Sequence, residues 1–333
     1  MHGTKPAASR RVTLRRLVAI AFGVAVVVVV ALAPSVLSDV YISFLTGAAI
    51  WIGMVWAWDL LATAGYISLA VAGWYGLGAY STVILMSTFG FPFLPAVAIS
   101  AVIVGVLSVL IAVPLFRLRG HYFIMGTLII AEVIYLVMNE FRLFGVQGAS
   151  LMHFPTVAGD PSSYNYYFYW LAAAFLGFTF VVVVIVRRSR IGLALRAMGQ
   201  DETTAETMGV MTAHYKLIAF GISSALLGLA GGLSAYWAGF VQQATVFTPL
   251  ITVKVIVIAI LGGSGTLAGP VVSVLFIQYL EQIVGPTLAD LNQIIYGLIV
   301  MAVAVLAPRG VVPSVMRIVK KARLSTTKNR STG

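Results

Sequence analysis

Residues 181–210 read VVVVIVRRSRIGLALRAMGQDETTAETMGV, and the change of character within this stretch decides the fold. An apolar run ends at a basic cluster, Arg187 to Arg190, and a short polar segment follows. An apolar helix that ends in arginines is typical of a membrane span reaching the cytoplasm. Segment 190–210 is therefore predicted to be a short helical connection between two spans. It holds three of the chain's ten acidic residues: Asp201, Glu202 and Glu206.

The composition of the whole chain also indicates a membrane protein. Its 333 residues are 60% hydrophobic and only 9% charged, whereas soluble domains carry about 25% charged residues. The mean hydropathy is +1.01. The formal net charge of +11 comes mostly from short basic clusters beside apolar runs, which fits topology and anionic lipid contact better than nucleic-acid binding. The chain has no cysteine, which excludes disulfides and thiolate metal sites.

The N-terminus allows two interpretations. RRVTLRR (10–16) precedes LVAIAFGVAVVVVVALA (17–33), and Ala31-Leu32-Ala33 resembles a signal-peptide cleavage site. The apolar run is longer than the usual hydrophobic region of about 7–15 residues in a signal peptide. A retained first membrane span is therefore the favoured interpretation.

The distribution of apolar runs predicts an all-α integral membrane protein with about ten transmembrane helices, since a span needs roughly 20 mainly apolar residues. The third and eighth runs are the least regular, because one is rich in glycine and the other is short. The predicted spans are 17–35, 41–60, 65–88, 93–116, 121–140, 167–186, 214–239, 248–262, 266–284 and 290–307.

The positive-inside rule supports ten spans with both termini in the cytoplasm. That topology places 19 of the 21 basic residues on the cytoplasmic side. Arg142 falls on the outside, and Lys254 falls within a span. Nine or eleven spans would place at least one basic cluster on the wrong side.

No motif in the chain indicates an enzyme. LGGSGTLAGP (261–270) resembles a phosphate-binding loop but lacks its lysine, so it is interpreted as a tight turn with a GxxxG pair, Gly265 and Gly269. Pro270 suits the first turn of the next helix. The four histidines lack metal-ligand spacing, and no catalytic triad or carboxylate pair is evident. No cofactor or metal is therefore expected in this chain.

Segment 190–210 has the features of a short capped helix. Asp201 is a candidate N-cap, Glu202 and Glu206 lie one turn apart, and Gly209 fits a C-terminal stop. Thr212 is a candidate cap of the next span. Local chemistry leaves two interpretations open: a solvated linker, or a surface helix presented to a cytoplasmic partner.

Five motifs in order identify a family resemblance over about residues 40–312. Together they resemble the LivM-type permease subunits of branched-chain amino-acid ABC importers. The motifs are GYISLAVAGWYGLGAY (65–80), RLRGHYFIMGTLIIAEVI (117–134), FGVQGASL (144–151), SRIGLALRAMGQDETTAETMGV (189–210), and LGGSGTLAGP (261–270) with APRGV (307–311).

The resemblance implies a division of labour. This chain would be one half of a membrane pore in a prokaryotic plasma (inner) membrane. Its partners would be a second, LivH-type permease, two cytoplasmic ATPase subunits that use ATP and Mg²⁺, and an extracytoplasmic solute-binding protein. The chain would comprise a basic tail (1–16), a single permease domain (17–308) and a second basic tail (309–333).

By the same resemblance, segment 190–210 would be the coupling helix that contacts an ATPase. The residues carried over to this contact are Arg196, Asp201, Glu202, Glu206 and Gly209. The broader importer pattern, Glu-Ala-Ala, three residues and Gly, is only partly kept, because Thr203 occupies the glutamate position. Ala70 and Val71 replace the usual Gly and Gln or His, and Lys254 stands where the family often has glutamate.

Ionisable residues at membrane depth are costly and tend to face a cavity or a partner. Glu132 and Lys254 are candidate pathway residues, with snorkelling to the surface as the alternative. Lys254 would pair with Glu132, with the second permease or with a substrate carboxylate. Asp59 and Glu281 lie nearer span ends and are expected to reach the surface. Trp74 is a further pathway candidate, with packing as its alternative.

The sequence is compatible with three functions. The first is an importer subunit for branched-chain or related amino acids. The second keeps the mechanism but replaces the solute with urea, a short amide or an organic acid, because of Val71 and Lys254. The third is an ion-coupled transporter or channel, since the glycine-interrupted spans near 65–80 and 261–270 are compatible with broken helices.

Overall fold

The described part of the protein is helical throughout. The computed structural model describes residues 38–118, 120–140 and 161–284, and these ranges contain eleven α-helices and no strand. In chain order they are α1 (Asp39–Ala62), α2 (Val71–Ser87), α3 (Phe93–Leu115), α4 (His121–Glu140), α5 (Pro161–Arg188), α6 (Arg190–Met198), α7 (Glu202–Thr207), α8 (Thr212–Ala238), α9 (Gln243–Val246), α10 (Pro249–Gly262) and α11 (Ala268–Val284).

Six stretches among the described residues are long and apolar enough to cross a membrane. They are Asp39–Ala62, Phe93–Leu115, His121–Asn139, Tyr164–Arg188, Thr212–Ala238 and Gln243–Gly262. They correspond to the predicted second, fourth, fifth, sixth, seventh and eighth spans. The shorter α2 and α11, with 17 residues each, correspond to the third and ninth. The predicted spans 17–35 and 290–307, and residues 141–160 between the fifth and sixth spans, lie outside the described residues.

The first part of the predicted third span is not helical. Gly65 has a φ of +82°, residues 66–70 are non-helical, and α2 begins only at Val71. Hydroxyl and indole groups from other helices bind this non-helical segment (residues 66–70). The Leu69 N–H donates to Thr127 Oγ1 at 2.9 Å, and Trp58 Nε1 donates to the Ser68 carbonyl at 2.9 Å. Such backbone is stable at membrane depth only where protein groups satisfy it.

The centre of the bundle is α8, which packs against α1, α2 and α3. Glycines bring its backbone against α2. A Cβ added at Gly231 would lie 1.9 Å from the Tyr75 carbonyl oxygen, and one at Gly78 would lie 2.2 Å from the Gly228 oxygen. Small residues allow this approach, which maximises van der Waals contact between membrane helices.

The LGGSGTLAGP motif forms a tight turn between α10 and α11, as predicted. Gly263 and Gly265 have φ values of 84° and 85°. The close backbone approach involves a different glycine pair from the predicted one. A Cβ on Gly269 would lie 2.0 Å from the Gly262 oxygen. Pro270 lies in the first turn of α11, as expected.

Candidate functional site

One end of the bundle is tied together by a buried ion pair. Asp59 of α1 is completely buried, and its Oδ2 accepts from Arg187 Nη2 at 2.6 Å. The same oxygen accepts the Gly265 N–H at 2.8 Å, and Arg187 Nη1 donates to the Gly265 carbonyl at 3.0 Å. Asp59 thus joins α1, α5 and the α10–α11 turn. The expectation that it would reach the surface is wrong, because α5 places Arg187 against it.

Segment 190–210 begins three residues after Arg187 and contains α6 and α7. Ser189 caps α6 by accepting the Ile191 N–H at 3.2 Å. Two glycines set the segment against the bundle. A Cβ on Gly192 would lie 2.5 Å from the Arg187 oxygen, and one on Gly199 would lie 2.3 Å from the Thr63 oxygen. The buried face of α6 consists of Gly192, Ala194, Leu195 and Met198.

The predicted caps of α7 are confirmed. Asp201 Oδ1 accepts the Thr204 N–H at 2.9 Å. At the other end, Gly209 has a φ of +85°. Its N–H donates to the Glu206 carbonyl, and the Val210 N–H donates to the Ala205 carbonyl at 3.1 Å. This pattern is a Schellman motif, which requires the left-handed conformation that glycine adopts without strain.

Two acidic side chains join α7 to α8. Glu206 Oε1 accepts from Thr212 Oγ1 at 2.7 Å. Thr212 is therefore the first residue of α8 rather than its cap, and Met211 occupies the N-cap position. Glu202 Oε1 lies 2.6 Å from Lys216 Nζ, and the Lys216 side chain is only 5% exposed. These contacts fix the short α7 on a membrane helix.

Tyr66, at the start of the non-helical segment, joins the same group. Its hydroxyl donates to Glu202 Oε2 at 2.5 Å and accepts from Lys216 Nζ at 3.1 Å. We call Tyr66, Glu202 and Lys216 the triad. Tyr66 was not predicted as a site residue, and Lys216 is one of the 19 basic residues that the predicted topology places on the cytoplasmic side. Their contact is not evident from the sequence because 150 positions separate the two residues.

The outward face of segment 190–210 is mixed in character. Arg196, Thr203 and Glu206 are exposed. So are two large apolar side chains of the segment, Leu193 and Met208, at 66% and 78% of their surface, and Met211, which directly follows the segment, at 68%. A segment outside the predicted spans therefore displays both apolar and charged groups.

The pathway candidates Trp74, Glu132 and Lys254 do not come together. Trp74 is 1% exposed and packs edge-on against Phe220 of α8. Glu132 is exposed on α4. Lys254 pairs with Glu281 of α11 at 2.6 Å, so the predicted pairing with Glu132 is not observed. Lys254 Nζ also lies 4.1 Å from the centroid of the Trp51 ring.

The chemistry of these residues does not suggest catalysis. Within residues 38–118, 120–140 and 161–284, no group of three or more His, Asp or Glu side chains could hold a metal ion. The arrangement consists of buried ion pairs, a helix interrupted near one end, and a short capped segment against that end. Together with the six described stretches that are long and apolar enough to cross a membrane, these features indicate a multi-pass membrane protein.

The sequence comparisons agree with this class. The family profile of the permease component of branched-chain amino acid transport systems matches residues 40–304, so the chain belongs to this family. It is a multi-pass protein of the prokaryotic inner membrane. No solved structure matches it significantly.

Curated relatives include both kinds of permease named in this family. The chain is 25% identical over 282 residues to the high-affinity branched-chain amino acid transport system permease protein LivM of Escherichia coli K12, covering 76% of this chain and 65% of that protein. The Salmonella typhimurium LivM gives the same identity and coverage. A probable LivH of Methanocaldococcus jannaschii is 28% identical over 298 residues, covering 80% of this chain and 91% of that protein.

Proposed function

We propose that this chain is the translocation subunit of an ATP-driven importer for branched-chain or related amino acids. The construction of segment 190–210 carries the proposal. Its inner face is anchored by Gly192, Gly199 and the triad, while its outer face presents Leu193, Met208 and Glu206. A linker needs no such anchoring, whereas a segment that receives force from a separate ATPase subunit does.

The predicted topology places this end of the bundle in the cytoplasm. Arg187, Arg188, Arg190 and Arg196 all lie near it, and basic residues are concentrated on the cytoplasmic side of membrane proteins. ATPase subunits are cytoplasmic, so the outer face of segment 190–210 would meet them there. ATP and Mg²⁺ would bind to those subunits and not to this chain.

A second permease would cover α4. Glu132 lies among large exposed apolar side chains on this helix, including Met125, Ile129 and Leu136. A carboxylate directed into lipid is costly, so such residues face protein or a water-filled cavity. The exposed α4 face therefore suits a LivH-type partner that supplies a hydrogen-bond donor or a cation to Glu132, at the interface where the pathway would run.

The amino-acid substrate rests on the family and on the names of the relatives. The alternative solutes were motivated partly by Lys254, whose positive charge departs from the family pattern. That charge is balanced within this chain by Glu281 at 2.6 Å, and Val71 is buried. Lys254 therefore offers no unpaired charge to a solute, and the Val71 side chain is not exposed to one. Solute selection would lie mainly with the extracytoplasmic binding protein.

A rival explanation is an ion-coupled transporter that works alone. The non-helical segment 66–70 fits the broken helices of such proteins. However, its backbone groups are bound by Thr127, Trp58 and Thr252 of this chain. A purely ion-coupled mechanism also gives segment 190–210 no role.

The test is uptake by proteoliposomes that contain this chain, its partner permease and both ATPases, with the binding protein outside and ATP inside. We expect uptake of labelled leucine, isoleucine or valine that needs hydrolysable ATP. The matched control replaces ATP with a non-hydrolysable analogue. Uptake that persists in this control would exclude the importer class.

The solute is tested separately from the mechanism. ATP-dependent uptake without transport of any amino acid would contradict the substrate assignment alone. Thermal shifts of the binding protein with leucine, urea, short amides and organic acids would then identify the solute class.

A further inference from the structure

The triad connects segment 190–210 to the part of the membrane domain with the least regular backbone. Glu202 belongs to α7, Lys216 to the first turns of α8, and Tyr66 to the non-helical segment. Each member contacts the other two. The Tyr66 hydroxyl lies 2.5 Å from Glu202 Oε2 and 3.1 Å from Lys216 Nζ, and Lys216 Nζ lies 2.6 Å from Glu202 Oε1. A displacement of α7 therefore cannot leave Tyr66 in place without breaking a charge-assisted hydrogen bond.

The surroundings of the triad make this connection stiff. Tyr66 is 8% exposed, and its ring packs edge-on against Phe116 and Phe123, with centroids at 5.6 and 4.9 Å. Lys216 Nζ lies 4.8 Å from the Tyr66 ring centroid. Charge-assisted bonds in such an apolar enclosure are stronger than bonds exposed to water.

The non-helical segment has a backbone that can change conformation without disrupting a helix. The Ala70 carbonyl accepts the Trp74 N–H of α2 at 3.1 Å, whereas backbone groups of Ser68 and Leu69 bind side chains. The Leu69 N–H is held by Thr127 of α4, and the Ala72 N–H at the start of α2 is held by Thr252 of α10 at 3.0 Å. Gly65, which has a positive φ, precedes the segment. A Cβ added at Gly65 would have one neighbouring atom within 4 Å, the Gly199 Cα at 3.9 Å.

We infer that Tyr66 is a positioning residue that transmits displacement of segment 190–210 to the non-helical segment 66–70, which acts as the moving part of the pathway near this end. The inference rests on the proposed importer function. It adds the route by which ATPase action reaches the membrane domain: from Glu202 through Lys216 and the Tyr66 hydroxyl to Ser68 and Leu69.

The primary test is Tyr66→Phe in the complete reconstituted complex. This variant keeps the packed ring and removes only the hydroxyl that binds Glu202 and Lys216. We expect the complex to assemble and hydrolyse ATP, while solute molecules transported per ATP fall about tenfold, the scale of a lost hydrogen bond to charged groups. The matched control is Tyr41→Phe, because Tyr41 is 57% exposed at the start of α1, away from the triad.

A second variant covers the case in which Tyr66→Phe prevents assembly. Glu202→Gln combined with Lys216→Met removes both charges together, so neither is left buried alone. The number of solute molecules transported per ATP hydrolysed is expected to fall by the same factor. If neither variant assembles, the triad is a folding element and the inference is overturned.

The outcomes separate the inference from the proposed function. Wild-type complex without ATP-dependent uptake would refute the proposed function. Wild-type uptake together with an unchanged ratio of transport to hydrolysis in Tyr66→Phe would overturn only the inference. A lower melting temperature with an unchanged ratio would likewise assign Tyr66 a purely structural role.

Discussion

Helices α4 and α8 have the same mean hydropathy over their most apolar stretches, yet 67% of that stretch is buried in α8 and only 17% in α4. The difference lies in side-chain size and charge. Gly228, Gly231 and Gly232 let α8 meet α2 and α3 at backbone distance, whereas α4 directs bulky side chains and Glu132 outward. Hydropathy places both helices in the membrane. Small residues mark the contacts of α8 within the chain, and the outward Glu132 is the position at which we propose a contact with the second permease.

The largest effect is expected where α8 is packed most closely. Gly231→Val places a branched side chain where even a Cβ would lie 1.9 Å from the Tyr75 oxygen, and backbone cannot yield as a flexible side chain can. We expect loss of monodisperse protein in size-exclusion chromatography in detergent. Gly177→Val on α5 is the control, because no atom lies within 4 Å of its added Cβ. Normal folding of Gly231→Val would show that the α2–α8 contact is not needed.

The second-largest effect is expected at the buried Asp59–Arg187 ion pair near the end of α1. Asp59→Asn leaves Arg187 without its charge partner, and breaking a buried ion pair costs about 3–5 kcal/mol. We expect a clear fall in the thermal denaturation midpoint. Glu281→Gln is the comparison, because the Glu281 side chain is 33% exposed and that of Asp59 only 1%. Equal effects of the two changes would mean that burial does not govern the strength of these pairs.

The third prediction concerns α4, the more exposed of the two compared helices. Glu132→Leu removes a charge from an exposed face, so the isolated chain should fold as well as wild type or better. Association with the second permease should weaken by about tenfold or more, the scale of one charged hydrogen bond. Co-purification of the two permeases measures this. Val133→Leu is the control, because Val133 is exposed beside Glu132. Unchanged association would place the partner elsewhere.

The smallest structural effect is expected in segment 190–210. Glu206→Lys reverses an exposed charge and removes the acceptor of the Thr212 hydroxyl. Gly209→Val strains a residue whose φ is +85° by about 1–2 kcal/mol. Both variants should insert into the membrane with impaired solute uptake. Thr203→Ser provides a control on the same exposed surface. Normal transport by both variants would contradict the role of this segment in coupling.

Membrane helices could be predicted from the sequence where a long apolar run was enough to identify them. The expected span 93–116 is the helix Phe93–Leu115, and 214–239 is Thr212–Ala238, because long apolar runs have few alternatives in a membrane. The Asp201 and Gly209 caps followed from local backbone chemistry. Residues 66–70 were predicted to be helical because hydropathy does not register the hydroxyl groups that replace their helical hydrogen bonds.

The contacts of the candidate site depended on packing that the sequence alone does not specify. The Lys254–Glu281 pair requires α11 to lie beside α10, and the Asp59–Arg187 pair requires α5 to lie beside α1. The outward position of Glu132 likewise follows from how α4 packs. In each case the sequence identified a costly charge in or near a span, but the helix arrangement determined its partner.

Coupling to ATP hydrolysis requires, most directly, a contact between segment 190–210 and an ATPase subunit. The chain has no cysteine, so Met208→Cys provides one labelling site on a residue that is 78% exposed. A photoactivatable maleimide on this cysteine in the complete complex should cross-link to an ATPase subunit, whereas Phe178→Cys on the exposed face of α5 should not. Two results together would contradict this contact. The cysteine of Met208→Cys would form no adduct with an ATPase subunit, and it would react equally with a soluble maleimide whether or not the ATPases are bound.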